Sequence, residues 1–207
     1  MRHEFSSYRT TKENLCGSIL LFVWYFNEFM ISLVSELQTQ LTFETYPSAP
    51  SIDGVWLHPL RKNRSENGWF MEYLRLSKDG VDGLPTPLEV RQISISKAAP
   101  DRVNAFHIHT KLPQNEIWTV IEGQLMVWLV DCRENSPTAR VKRRVILSSE
   151  QPMQLFIPAG VAHGYQAGID GATLLYSMDQ QFDLQDPNEG RLPWDLFGTD
   201  LWQENRG

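Results

Sequence analysis

The sequence has little cysteine, no excess of positive charge and no long apolar run, and each absence excludes something. Its two cysteines, Cys16 and Cys132, form no CxxC pair. They imply neither a disulfide framework nor a cysteine zinc site, and a reducing cytoplasm is the compartment expected. Nineteen basic residues face twenty-five acidic ones, for a net charge of −6. Nucleic acid and anionic membrane surfaces, which call for a basic face, are therefore not expected partners. The most apolar run, "ILLFVWYF" at 19–26, spans eight residues, far short of the roughly 20 that a membrane-spanning helix needs. Neither an internal repeat nor a low-complexity tract is present.

The N-terminal part divides from the rest. Between Lys12 and about Leu41 there is no proline and one glycine, which suits a helix. A secretory signal would need a basic start and a small-residue cleavage site, and neither is convincing. We read residues 1–42 as an N-terminal extension or helix, with translation starting at Met30 and leaving 178 residues. Residues 43–207 are read as one domain.

From Val55 onward short apolar runs alternate with turn residues. "WFMEYLRL" (69–76), "LEVRQISIS" (88–96), "RVKRRVILS" (140–148), "QLFIP" (154–158) and "TLLYSM" (173–178) read as strands. "EIWTVIEGQLMVWLVD" (116–131) reads as a hairpin turning at Glu122-Gly123. Such spacing predicts an all-β sandwich or barrel of antiparallel strands. The tail "DPNEGRLPWDLFGTDLW" (186–202) is rich in turn residues and tryptophan, and is expected to pack over the barrel or a partner subunit.

Two motifs carry the chemistry. In "FHIHTKLPQNEIWTVIEGQ", His107 and His109 project to one face of a strand, because strand side chains alternate with a period of two. Glu116 and Gly123 follow at regular spacing. "IPAGVAHGY" supplies Pro158, Gly160 and His163. Order and spacing resemble the two cupin motifs, which implies a double-stranded β-helix, or jelly roll. Three imidazoles and a carboxylate suit Mn, Fe, Ni or Zn with open positions for a substrate. They also suit general acid–base chemistry; one isolated histidine of this kind is better read as a satisfied barrel residue, but three with a glutamate point to binding or catalysis.

Longer stretches, including "NGWFMEYLR", "NAFHIHT", "GQLMVWLVDCRENSPTA", "LSSEQPMQLFIPAGVAHGYQ" and "ATLLYSMDQQFD", resemble the dTDP-4-dehydrorhamnose 3,5-epimerase family from about Asn67 to Trp194. The resemblance implies a homodimeric jelly roll, without cofactor, acting on a nucleotide-linked 4-keto-6-deoxy sugar. By that resemblance His107 is the base and Tyr176 the acid. Glu72, Gln92, Asn104 and His163 are its substrate-side residues. The departures are specific. Asn104 stands at the arginine of the family's "RGLH", Asn67 at the arginine of "RGFF", and His109 at the glutamine of "LHxQ". Glu116 takes the place of an enolate-stabilising lysine, and the aspartate of a C-terminal "SxKD" tail has no counterpart before Gly207.

Two other functions follow from the same residues. One is a metal-dependent cupin isomerase or oxygenase liganded by His107, His109, Glu116 and His163. The other is a cupin that binds a sugar without turning it over.

Overall fold

A computed structural model describes residues 31–203. The chain divides into two units, Met1–Pro47 and Ser48–Gly207. In the first, the described residues hold one helical turn, α1 (Ser35–Gln38), with no buried side chain. The expected N-terminal helix and the apolar run at 19–26 fall mostly or wholly outside the described residues. Among the described residues no helix is long and apolar enough to cross a membrane.

The second unit is a jelly roll built on two long strands, β8 (Glu116–Asp131) and β11 (Val161–Met178), which pair antiparallel along most of their length. Each runs through both sheets. The first half of β11 lies between the second half of β8 and β7 (Val103–Ile108). Outside these are β9 (Lys142–Ser148), paired to β8, and β12 (Gly190–Arg191), paired to β7. The second half of β11 lies between the first half of β8 and β6 (Gln92–Ala98). Beyond β8 come β10 (Met153–Ile157) and then β1 (Trp56–Pro59). Leu125, Val127, Leu129 and Leu147 of one sheet share a core with Val120, Leu155, Ile157 and Leu174 of the other. Residues apolar on alternate positions of paired strands can bury that face only against a second sheet. The small ribbons β2–β3 (Asn63–Ser65, Gly68–Phe70) and β4–β5 (Leu76–Ser77, Gly80–Val81) lie outside this core.

The all-β jelly roll expected from the sequence is thus the fold observed, but the hairpin at Glu122-Gly123 is not. A two-residue type I′ turn needs positive φ at both central residues, and of this pair only Gly123 has it (φ +71°). The chain therefore bends and continues as one strand, with register shifts where β11 faces it between Ala167 and Leu174. A Cβ at Gly123 would lie 2.1 Å from the Gly171 carbonyl oxygen. Gly123→Ala is accordingly expected to cost about 2–4 kcal/mol, from backbone strain and overpacking together. A urea midpoint equal to that of the parent protein would contradict this.

The "WFMEYLRL" strand also differs, ending at Phe70 and resuming at Leu76. The intervening residues lack a backbone ladder and are held by side chains. The Tyr73 hydroxyl lies 2.9 Å from Ser177 Oγ, and the Gln154 amide donates to the Tyr73 carbonyl.

The tail packs over β7 and β8. Phe106 meets Phe197 edge-on at 5.0 Å and Trp202 at 5.4 Å, and Trp128 Nε1 donates to the Leu201 carbonyl at 2.6 Å.

Candidate active site

Where the sheets part, their inner faces turn polar and enclose a cavity of about 420 Å³, a size that suits a small-molecule site. Strand periodicity explains the lining. Gln92 and Ser96 of β6 point inward, while Ile93 and Ile95 between them are 53% and 65% exposed. His107 of β7 and His163 of β11 are register partners, with ring centroids 5.9 Å apart. The backbones approach closely there because residue 164 is glycine. A Cβ at Gly164 would stand 2.3 Å from the Ala105 Cβ.

The cavity brings together His107, His109, Glu116, His163, Tyr176, Gln92 and Asn104. Glu72 is not among its lining residues. It is exposed and pairs with Arg75 at 2.9 Å. Arg102 and Lys97 also line the cavity. Lys111 instead pairs with Asp186 and is exposed.

His107 is held on both ring nitrogens. Its Nε2 is 3.0 Å from Asn104 Oδ1, and its Nδ1 is 3.4 Å from Glu189 Oε1. Arg191 donates to Asn104 Oδ1 at 2.9 Å and to Glu189 at 2.5 Å, so its guanidinium ties the two partners together. Asn104 Oδ1, which accepts from Arg191, and the Glu189 carboxylate are both acceptors, while the neutral ring has a single N–H to offer, so one ring nitrogen keeps a free lone pair. Burial, reinforced by His163 and Arg191, lowers the His107 pKa to about 3. The ring is therefore neutral at physiological pH and able to accept a proton.

The other three groups form a tighter cluster. Glu116 is buried, accepting from Gln114 Nε2 at 2.8 Å and from Trp118 Nε1 at 2.6 Å. Its Oε1 lies 2.8 Å from His109 Nε2, and its Oε2 lies 3.8 Å from His163 Nε2. His109 Nδ1 donates to the Asn188 carbonyl, and His163 Nδ1 donates to the Val161 carbonyl at 3.0 Å. Burial alone would raise the Glu116 pKa, but His163 and the His109 hydrogen bond outweigh it and hold it at about 2. Burial works against a charged His109, yet the hydrogen bond and charge of Glu116 raise its pKa; burial lowers that of His163. The cluster sets a buried carboxylate between two imidazoles. One ligand atom from each of His109, Glu116 and His163 lies within 4.8 Å of the others, which makes these three a candidate metal set; His107 stands outside that set.

Tyr176 lines the same cavity from β11, and burial raises its pKa, which keeps the phenol protonated. Glu189, Arg191 and Gln114 were not singled out in the sequence. The tail read only as a packing segment, and nothing in its spacing signals that β12 pairs Arg191 with His107.

A jelly roll of this strand order, with histidines of both motifs gathered in one cavity between its sheets, belongs to the cupin class. A family model for dTDP-4-dehydrorhamnose 3,5-epimerase matches residues 49–196, and the chain belongs to that family. It is 34% identical over 145 residues to the spore coat polysaccharide biosynthesis protein SpsL of Bacillus subtilis, covering 70% of this chain and 91% of that protein. It is 29% identical over 147 residues to the dTDP-4-dehydrorhamnose 3,5-epimerase of Methanothermobacter thermautotrophicus, covering 70% and 76%. Among solved structures, a dTDP sugar isomerase from Desulfovibrio desulfuricans superimposes with a TM-score of 0.63 at 28% identity, covering 73% of this chain and 92% of that one.

Proposed function

We propose that this chain epimerises a nucleotide-linked 4-keto-6-deoxy sugar at a carbon next to the ketone, with His107 as base and Tyr176 as acid. The observation that carries the reading is the meeting of these two groups in one cavity of about 420 Å³, within a chain of the epimerase family. The chemistry fits their states. His107 takes the proton α to the ketone and later releases it to solvent, and the C–H electron pair moves into the enolate. Tyr176 returns a proton to the opposite face of that carbon and recovers its own from solvent. Glu189, 3.4 Å from His107 Nδ1, stabilises the imidazolium that forms. Arg102 supplies positive charge for a diphosphate at the cavity wall. Gln92 holds the loop at Phe182 through its side-chain oxygen, which accepts the Phe182 N–H at 2.8 Å. The exposed Ile93 and Ile95, on the face of β6 away from the cavity, support a homodimer.

The test is incubation of the full chain with dTDP-4-keto-6-deoxyglucose, following inversion at C3 and C5 by NMR. Inversion at one or both carbons is expected. An unchanged substrate, in the presence of tight binding, would favour a sugar-binding cupin instead.

The pH dependence follows from the state of His107. A base must be deprotonated to act, and its pKa is lowered from the ordinary 6.5 to about 3. The active form therefore persists as pH falls, and kcat/KM should stay level from pH 8 down to at least pH 5. An acid limb centred near 6.5 would show that His107 is not the buried neutral base.

A further inference from the structure

The geometry points to a divalent transition-metal site formed by His109, Glu116 and His163, from which His107 is excluded. Three observations support it. First, the ligand atoms are gathered. Donors held about 2.0–2.2 Å from one ion stand roughly 3.0–3.5 Å apart; His109 Nε2 lies 2.8 Å from Glu116 Oε1 and His163 Nε2 lies 3.8 Å from Oε2, one imidazole at each carboxylate oxygen, with one donor of each residue within 4.8 Å of the others.

Second, both rings are oriented as ligands. Metal-bound histidines hold the other ring nitrogen in a hydrogen bond to a carbonyl or carboxylate, which fixes the tautomer. His109 Nδ1 donates to the Asn188 carbonyl and His163 Nδ1 to the Val161 carbonyl, so both Nε2 atoms face Glu116. The carboxylate is steadied in turn by Gln114 and Trp118.

Third, the buried charges call for a cation. His163 is 2% exposed, and among the described residues no hydrogen bond reaches its Nε2, with the Glu116 oxygen 3.8 Å away. Between His109 Nε2 and Glu116 Oε1, two acceptors at 2.8 Å, a positive charge must sit. A proton or a metal ion can fill that place, and a nitrogen–oxygen donor set suits Mn, Fe, Ni or Zn.

His107 differs in each respect. Its Nε2 is bound to Asn104 and its Nδ1 faces Glu189, so neither nitrogen is directed at the cluster's centre. Metal binding therefore leaves the base free. An ion there would supply Lewis-acid stabilisation to an oxyanion in the cavity. That role rests on the epimerase reading, whereas the binding itself does not.

The experiment is metal analysis of the full chain, purified without a polyhistidine tag, after incubation with Mn, Fe, Ni or Zn salts and dialysis. About one ion per chain is expected for at least one metal, lost on His109→Ala or Glu116→Gln and retained on His107→Ala. Cobalt loading of the parent protein gives a readout that no variant's folding can confound, with visible d–d bands expected. Less than about a tenth of an ion per chain with every metal would overturn the proposal. So would loss on His107→Ala, which requires a four-ligand set, or retention in the His109 and Glu116 variants, which marks an adventitious ion only. Occupancy is read without any sugar, so metal without turnover would remove the epimerase reading alone, and turnover without metal the present one alone.

Discussion

His107→Ala is expected to slow epimerisation by about 10²–10⁴-fold, the usual worth of a positioned general base, and to leave the fold unchanged. The imidazole lies at the cavity wall rather than in the core. Its removal leaves Asn104 Oδ1 and Glu189 still bonded to Arg191, so no buried polar atom is orphaned. Tyr176→Phe removes only the hydroxyl and should reduce net inversion by a similar factor. Thermal unfolding of both variants close to the parent's would show that the loss is chemical. A His107→Ala protein retaining half the parent rate would end the assignment of the base.

Asp131→Ala should have the largest effect on stability. Asp131 closes β8, and its side chain is 0% exposed. One carboxylate organises the whole "DCRENSPTA" loop. It accepts from Arg133 Nε at 2.8 Å and Nη2 at 2.9 Å, and from the hydroxyls of Ser136 and Thr138 at 2.5 Å and 2.7 Å. Arg133 and Thr138 then bind the backbone of Asp53, tying the start of the domain to its far loop. Removing the acid leaves a half-buried guanidinium without its counter-charge, which costs about 3–5 kcal/mol. At about 2–4 °C per kcal/mol for a domain of this size, Tm should fall by roughly 6–20 °C.

The acid dependence of stability has a definite sign. Burial opposes ionisation of Asp131, but the hydrogen bonds from Arg133, Ser136 and Thr138 hold its pKa well below the usual carboxylate range. Its stabilising contribution is therefore complete above the unfolded-state pKa of about 3.9 and is lost as pH falls toward the folded value. The variant should show a shallower loss of stability below pH 4 than the parent. A Tm within 2 °C of the parent's would show that the loop is held by other contacts.

Much of the fold was legible because its signals are local. Short apolar runs bounded by turn residues marked β6, β9 and β10 within a few residues, and the paired cupin motifs gave the jelly roll. What patterning does not carry is whether a glycine reverses a strand or bends it. Gly123 bends β8 because Gly171 of the distant β11 lies against it, a contact 48 residues away in sequence. The first half of β11 was missed for a related reason. "VAHGY" reads as a motif with a glycine in it, and that glycine is a close approach to Ala105 within a continuous strand.

The site was legible in its donors but not in their pairing. Alternation sets His107 and His109 on one face, and the β7–β11 register places His163 opposite His107. The partners that hold His107 and His109, namely Asn188 and Glu189, and the Arg191 that steadies Glu189, arrive from a tail with no periodicity. Two strand residues, Gly190 and Arg191, bring them in. The lysine missing at position 116 and the arginine missing at 104 are also better understood with the structure in view. The first position holds a carboxylate facing two imidazoles, and the second an asparagine bonded to the guanidinium of Arg191.

The most direct test of proton transfer at His107 is the incubation of dTDP-4-keto-6-deoxyglucose with the protein in D₂O, followed by mass spectrometry and NMR of the sugar. Deuterium at the inverted carbon next to the ketone, absent with His107→Ala, is the predicted result. Inversion without deuterium, or equal uptake with His107→Ala, would contradict it.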